Sequence, residues 1–96
     1  MSQIFPKPPL QGNSQQATIA VTGVAQPLVA VRSLVRSVIV MPDPDNAGSL
    51  AVGLGPNPLL PQLALDAGPN GWIDLNQIQI KSTAGDKANF QVVYAP

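Results

Sequence analysis

The chain has 96 residues, 45% of them hydrophobic and 10% charged, and its five basic and five acidic side chains give a formal net charge of zero. That length fits one domain with a small core. Balanced, scattered charge excludes the clustered basic surface that nucleic-acid binding requires. A net charge near zero favours association, so we expect a subunit of a larger assembly, including contacts between copies of the chain.

Several kinds of site are excluded by residues that the chain lacks. It contains no cysteine and no histidine, so neither a disulfide framework nor a thiolate metal site is possible. No apolar run follows a basic segment at the N-terminus, and no stretch approaches the roughly 18 apolar residues of a membrane span. We therefore expect a soluble protein without a cleaved signal, a membrane partner or a cofactor.

Residues 1–15 predict an extended, proline-rich N-terminal arm, with the folded domain at residues 16–96. Prolines at positions 6, 8 and 9 favour extended geometry and remove backbone donors. The arm also carries large apolar side chains, which a purely flexible leader would have little use for: Ile4, Phe5 and Leu10. We expect the arm to dock on a neighbouring subunit, with a flexible leader as the alternative.

The first strand of the domain is predicted at Ala17–Gly23, which is rich in β-branched residues. The segment Val29–Met41 is ambiguous, because its apolar positions also fit a helical stripe opposite two arginines. Too many of those positions are β-branched for a favourable helix. We predict a loop or strand up to Arg36 and a strand at Ser37–Met41.

The segment MPDPDNAGSLAVGL, residues 41–54, has features of both a calcium loop and a turn. Asp43, Asp45 and Gly48 fit positions 1, 3 and 6 of an EF-hand loop. Position 5 is Ala47, which has no side-chain oxygen, and position 12 is Leu54, where a glutamate should close the metal cage. Because Asp, Pro, Asn and Gly are also the residues of tight turns, we predict no metal site and a hairpin joining the flanking strands.

Residues 55–71 contain four prolines, which no central strand can accommodate. We predict a long surface excursion, whose leucines either tuck under the sheets or contact another subunit: Leu59, Leu60, Leu63 and Leu65. Together with the arm and the only tryptophan, they give these candidate interface residues: Ile4, Phe5, Leu10, Leu59, Leu60, Leu63 and Trp72.

The last third of the chain shows the clearest strand pattern. A short strand at 72–75 precedes a strictly alternating one at 77–81, whose Ile78 and Ile80 should face the core. A turn at 83–86 then leads into a closing strand at 88–94, with Phe90, Val92 and Tyr94 on one face. Short strands with regularly spaced turns predict an all-β fold, a small antiparallel β-sandwich of jelly-roll-like form.

Catalytic chemistry has little support in the sequence. Without histidine or cysteine, a nucleophile would have to be a serine activated by lysine, and Lys81 and Ser82 bring these residue types together. Adjacent strand residues point to opposite faces, however, so we predict that the protein is not an enzyme. Trp72 could stack on a sugar, with Tyr94 as a partner, but an apolar anchor is the favoured role.

Two segments carry a resemblance to a known group of proteins. Residues 37–54, SVIVMPDPDNAGSLAVGL, resemble a unit of strand, Asp-Pro-x-Asn-x-Gly turn and strand. Residues 72–94, WIDLNQIQIKSTAGDKANFQVVY, resemble a closing hairpin. Both are similar to parts of the small β-sandwich virion proteins of tailed bacteriophages, although LALDAGPNGW at 63–72 replaces that family's usual Leu-x-Pro-Gly-Glu approach.

The resemblance implies a structural protein on the exterior of a virion, with no catalytic residues to carry over. We expect it to decorate or cement the capsid by bridging neighbouring capsid subunits, with the major capsid protein and further copies of itself as partners. One alternative is a base or collar protein that anchors head or tail fibres. The other is a carbohydrate-binding β-sandwich module.

Overall fold

A computed structural model describes residues 11–94 of the chain, with side chains described from Ser14 to Val93. Within that range the chain forms nine β-strands and one short 3-10 helix. In chain order they are β1 Gln11–Thr18, β2 Gln26–Pro27, β3 Leu34–Val35, β4 Ser37–Pro42, β5 Ala51–Gly53, β6 Leu63–Asp66, β7 Ile73–Asp74, the helix Leu75–Gln77, β8 Gln79–Lys81 and β9 Lys87–Tyr94.

The fold is all-β and antiparallel, as the sequence predicts. In the described part of the chain, one sheet has four strands in the order β1-β9-β4-β6, a second has three in the order β2-β8-β5, and β3 pairs with β7. Each of these pairings is antiparallel. The finer jelly-roll-like form remains a prediction.

One hydrophobic core lies between the two larger sheets. The four-stranded sheet contributes Val38, Val40, Phe90 and Val92, while Val52 and Ile80 come from the three-stranded sheet. Most of these side chains are aliphatic, as expected from a chain with four aromatic residues. The inward positions predicted for Ile78 and Ile80 are confirmed, since both are buried, and Phe90 and Val92, which were predicted to share one face, are buried as well. Tyr94, predicted on the same face, lies outside the described side chains.

The first strand begins earlier than the pattern of β-branched residues predicts. β1 spans Gln11–Thr18, whereas the predicted strand was Ala17–Gly23. The amide-rich segment is extended because β9 provides a pairing partner along its whole length, from Gln11 opposite Tyr94 to Thr18 opposite Lys87. Residues 11–15 of the predicted arm thus lie in the sheet, while residues 1–10, including Ile4, Phe5 and Leu10, lie outside the described residues.

The proline-rich excursion at 55–71 contains a strand that the sequence did not predict. β6, Leu63–Asp66, pairs with β4 at the edge of the four-stranded sheet. Its four residues lie between Pro61 and Pro69, so none of the prolines removes a hydrogen bond from the ladder. β6 is an edge strand and not a central one, but the long surface excursion predicted for residues 55–71 is interrupted by sheet structure at these four residues.

Both predicted hairpins are also wrong. β4 belongs to the four-stranded sheet and β5 to the three-stranded sheet, so the turn at 42–48 carries the chain from one sheet to the other. The segment from β8 to β9 makes the reverse crossing. Turn residues fix where the chain changes direction, but which strands pair depends on contacts distant in sequence. β9 pairs with β1 and β4 instead of β8.

Candidate interaction surfaces

The interface residues predicted from the sequence divide into exposed and buried side chains. Leu59 is 82% exposed, Trp72 58% and Leu60 48%. Leu63 is buried, because on β6 its side chain points into the core, and Leu65 packs against the same core. Of the described candidates, Leu59, Leu60 and Trp72 therefore remain available to a partner, while Leu63 contributes to the core.

The exposed leucines are held beside β5 by backbone pairing. Leu60 forms an isolated antiparallel bridge with Val52, in which each backbone N–H donates to the other residue's carbonyl, at 2.7 and 2.9 Å. Pro58 is buried and packs against Gly53. The loop between β5 and β6 is thus fastened at its base, and it presents Leu59 and Leu60 to solvent on a defined backbone.

A second exposed surface, the outer face, lies on the side of the four-stranded sheet that points away from the core. Ile39 and Met41 alternate along β4 with the buried Val38 and Val40, and they are 47% and 48% exposed. Strand register places them in two rows with side chains of β9 and β1: Ile39, Gln91 and Ser14 in one, and Met41, Asn89 and Gln16 in the other.

The outer face is concave and its centre is uncharged. These six side chains contribute to the lining of a cavity of about 700 Å³. Within the described structure, the buried Oδ1 of Asn89 has no hydrogen-bond partner. The sequence alone does not reveal this surface, because SVIVM is a continuous apolar run, which does not show which of its residues face outward. Alternation anchored on Val38 and Val40 as core residues could have identified Ile39 and Met41.

Asp86 joins the two segments that cross between the sheets. Its carboxylate accepts hydrogen bonds from the backbone N–H groups of Ala47 and Gly48, at 2.8 and 2.9 Å, and from the Ser82 hydroxyl at 2.7 Å. The Ser82 bond lowers the pKa of Asp86; burial opposes this, and the bonds from Ala47 and Gly48 lower the pKa further. The cluster is nearly buried and its donors are satisfied, so its role is structural.

The Asp-Pro-Asp-Asn segment is used as a turn. Asp43 Oδ1 accepts from the backbone N–H of Asp45 at 2.9 Å, and the Asn46 side chain both donates to the carbonyl and accepts from the N–H of Lys87. The two Asn46 bonds resemble the pair of hydrogen bonds between opposite residues of antiparallel strands, and they join this turn to β9. Across the described residues, no group of three or more acidic, histidine or cysteine side chains could hold a metal ion.

Gly48 is required by the close approach of the two crossing segments. A Cβ atom at this position would overlap Thr83 Oγ1 and lie 3.2 Å from Asp86 Oδ2. We expect Gly48→Ala to lower the free energy of unfolding by about 1–3 kcal/mol, as measured by urea denaturation. Thr83→Ala removes the Oγ1 atom, so the double variant should recover part of the loss. Equal stability of Gly48→Ala and wild type would contradict this account.

The Ser–Lys pair considered from the sequence does not come together as a nucleophile and a base. Ser82 is buried and its hydroxyl donates to Asp86. Its neighbour Lys81 lies at the end of β8 and is half-buried. Asp74 is likewise engaged by backbone groups, since its Oδ1 accepts from the N–H groups of Ser33 and Asn76, each at 3.0 Å.

Comparison with known proteins gave no match: no family model, curated protein or solved structure is significantly similar to this chain. Between residues 11 and 94, the structure holds no helix of the length and hydrophobicity needed to cross a bilayer.

Proposed function

We propose that this protein is a structural component of a tailed-bacteriophage virion that decorates or cements the exterior of the capsid. It would bind the major capsid protein and bridge neighbouring capsid subunits. The proposal extends the resemblance of residues 37–54 and 72–94 to phage β-sandwich virion proteins. It is compatible with the all-β antiparallel domain.

The observation that carries the proposal is the exposure of large apolar side chains on a domain with few charges. Leu59 is 82% exposed on a loop fastened to β5, and Leu60 lies beside it. Only ten residues of the 96 are charged. Exposed leucines on a fixed backbone lose little conformational freedom when a partner covers them, and complete burial of one leucine contributes roughly 1.5–3 kcal/mol. Such a surface suits a permanent contact within an assembly.

The arm would supply a second contact across a subunit boundary. Its apolar residues Ile4, Phe5 and Leu10 would bind a neighbouring subunit. Ordering a backbone on binding costs about 1–2 kcal/mol per residue, and the prolines at positions 6, 8 and 9 reduce that cost by restricting the free chain. In this proposal the arm and the Leu59–Leu60 loop bind at different points, so one copy bridges two capsid subunits.

The test is uptake of purified protein by undecorated capsids of the phage that encodes it, measured by mass. Stoichiometric uptake in a fixed ratio to the major capsid protein is the expected result. A handful of copies confined to vertices or the portal would instead favour the base or collar of a fibre. Absence of uptake would contradict the proposed function.

The variant Leu59→Ala/Leu60→Ala tests the surface itself. We expect its capsid affinity to fall roughly 10- to 100-fold, because each truncated side chain loses apolar burial. The matched control is Val21→Ala/Val24→Ala, which truncates two exposed apolar side chains, 56% and 53% exposed, in another loop. Equal losses in both variants would show that this loop is not the contact.

Deleting residues 1–10, which leaves β1 complete, should also abolish stable uptake.

A further inference from the structure

We infer that the outer edge of β1 pairs with the same edge of a second copy of the chain, giving a two-fold dimer with a continuous sheet. The inference goes beyond the proposed function and assigns a surface to the contacts between copies of the chain that the sequence predicts. It does not depend on what the assembled protein binds.

Among residues 11–94 no strand covers the outer edge of β1, although at the C-terminal end of the strand the Thr18 carbonyl accepts a hydrogen bond from Gln26 Nε2 at 3.0 Å. β1 has eight residues and pairs with β9 on one side over its whole length. It ends the strand order of the four-stranded sheet, and among residues 11–94 no strand pairs with its other side. The seven residues of β1 that precede Thr18 still form an edge long enough to act as a template for another strand.

The remaining edge strands of the two larger sheets have features that disfavour pairing with another molecule. β6 has four residues and ends at the charged Asp66, while β2 has two residues, one of them Pro27. β5 is three residues long, and its outer side is occupied by the bridge from Val52 to Leu60. β1, with the sequence QGNSQQAT, has no proline and no charge. Short length, proline and charge are the features that prevent strands from pairing between molecules, and β1 has none of them.

The uncharged composition of β1 suits pairing with the same strand of a second copy. In an antiparallel two-fold pairing the same strand supplies both sides, and because the strand is uncharged, no like charges oppose each other in any register. The net charge of zero leaves no overall repulsion between copies. Two registers pair most of β1 with the β1 strand of the second copy. In one register Ser14 lies opposite Ser14 of the second copy. In the other Gln15 lies opposite Gln15, so that Ser14 lies opposite Gln16.

Such pairing would also join the two outer faces. A two-fold axis perpendicular to the sheet keeps the outer faces of both copies on the same side. Ser14 and Gln16, which are exposed on the outer face, line the cavity next to this edge. The dimer would therefore present two concave surfaces with uncharged centres side by side, a suitable form for a protein that bridges repeated subunits.

The test is the mass of the free protein in sedimentation and light scattering. The wild type should be a dimer, and Ser14→Lys/Gln16→Lys should weaken dimerisation at least tenfold, because lysine opposes lysine in either register. Raising the salt concentration should partly restore the dimer by screening. The control Asn57→Lys/Asn70→Lys adds the same charge at exposed loop positions and should remain dimeric. Circular dichroism of each variant checks that the sheets are intact.

Two results would overturn the inference: a wild type that is monomeric at every concentration tested, or a dimer unchanged by the two lysines. Capsid uptake of the same variants separates this inference from the proposed function. A wild-type dimer that fails to bind capsids would leave the β1 contact standing and contradict capsid decoration. A wild-type monomer whose capsid binding is lost in Ser14→Lys/Gln16→Lys would show that the edge accepts a strand of the capsid protein instead of a second copy.

Discussion

Phe90→Ala is expected to lower the free energy of unfolding by about 3–5 kcal/mol. Phe90 is 3% exposed and lies on β9, between β1 and β4 in the four-stranded sheet. Its ring is the only aromatic side chain in the buried core cluster of the described residues, whose other members are aliphatic. Removing it leaves a cavity that the strands on both sides cannot close without breaking their register with β9.

Chemical denaturation followed by far-ultraviolet circular dichroism measures this loss. The control is Gln91→Ala on the same strand, whose side chain is exposed on the outer face and should change stability by less than about 0.5 kcal/mol. A small domain has a total stability of roughly 5–15 kcal/mol, so Phe90→Ala could remove much of it. Losses of equal size in both variants would mean that Phe90 does not anchor the core.

Asp86→Asn is expected to lower the melting temperature at neutral pH by roughly 10 °C. The Asp86 carboxylate accepts hydrogen bonds from Ser82, Ala47 and Gly48. In Asp86→Asn an NH2 group replaces one of the two acceptor oxygens and would face these hydrogen-bond donors. Since these bonds hold together the two segments that cross between the sheets, their loss should loosen both crossings. The matched control is Asp45→Asn, which removes one carboxylate at an exposed position of the turn at 42–48.

The acid dependence of stability provides a second measure of the same cluster. Because the hydrogen bonds from Ser82 and the backbone lower the pKa of Asp86 in the folded state, the charged form stabilises the fold above the unfolded pKa of about 3.9. This contribution is lost as the pH falls through the lower, folded-state pKa. Wild type and Asp45→Asn should therefore lose stability on acidification more steeply than Asp86→Asn. An identical slope in Asp86→Asn would exclude Asp86 as the cause.

The exposed surfaces were only partly predictable. Leu59, Leu60 and Trp72 are exposed, whereas the sequence left open whether the leucines tuck under the sheets or contact another subunit and whether Trp72 lies in the core or at an interface. The outer face was not predicted, because its rows combine residues of three strands that are brought together by register alone, such as Ile39, Gln91 and Ser14. A single sequence gives the face of each strand, but not which strands are neighbours.

The outer edge of β1, which no strand of the described residues covers, was not predicted for a related reason. Its amide-rich sequence has low intrinsic preference for strands, and it extends because β9 is available as a partner. The pattern of β-branched residues placed the strand at 17–23 instead, where Ile19 is buried but exchanges backbone hydrogen bonds with the turn at 83–86. Tertiary pairing overrode local preference in both places.

The sequence by itself determined the fold class, the positions of the turns and the core-facing residues of the strongest strands. Alternation of apolar residues fixes which side of a strand is buried, as at Ile78 and Ile80, and Asp, Asn and Gly fix where the chain turns, as at 42–48. Only the tertiary structure decided that these turns cross between sheets, that β6 is an edge strand and that no strand of residues 11–94 covers the outer edge of β1. Which strands pair depends on contacts between segments that are distant in the chain, and the residue pattern along any one segment does not determine its pairing partner.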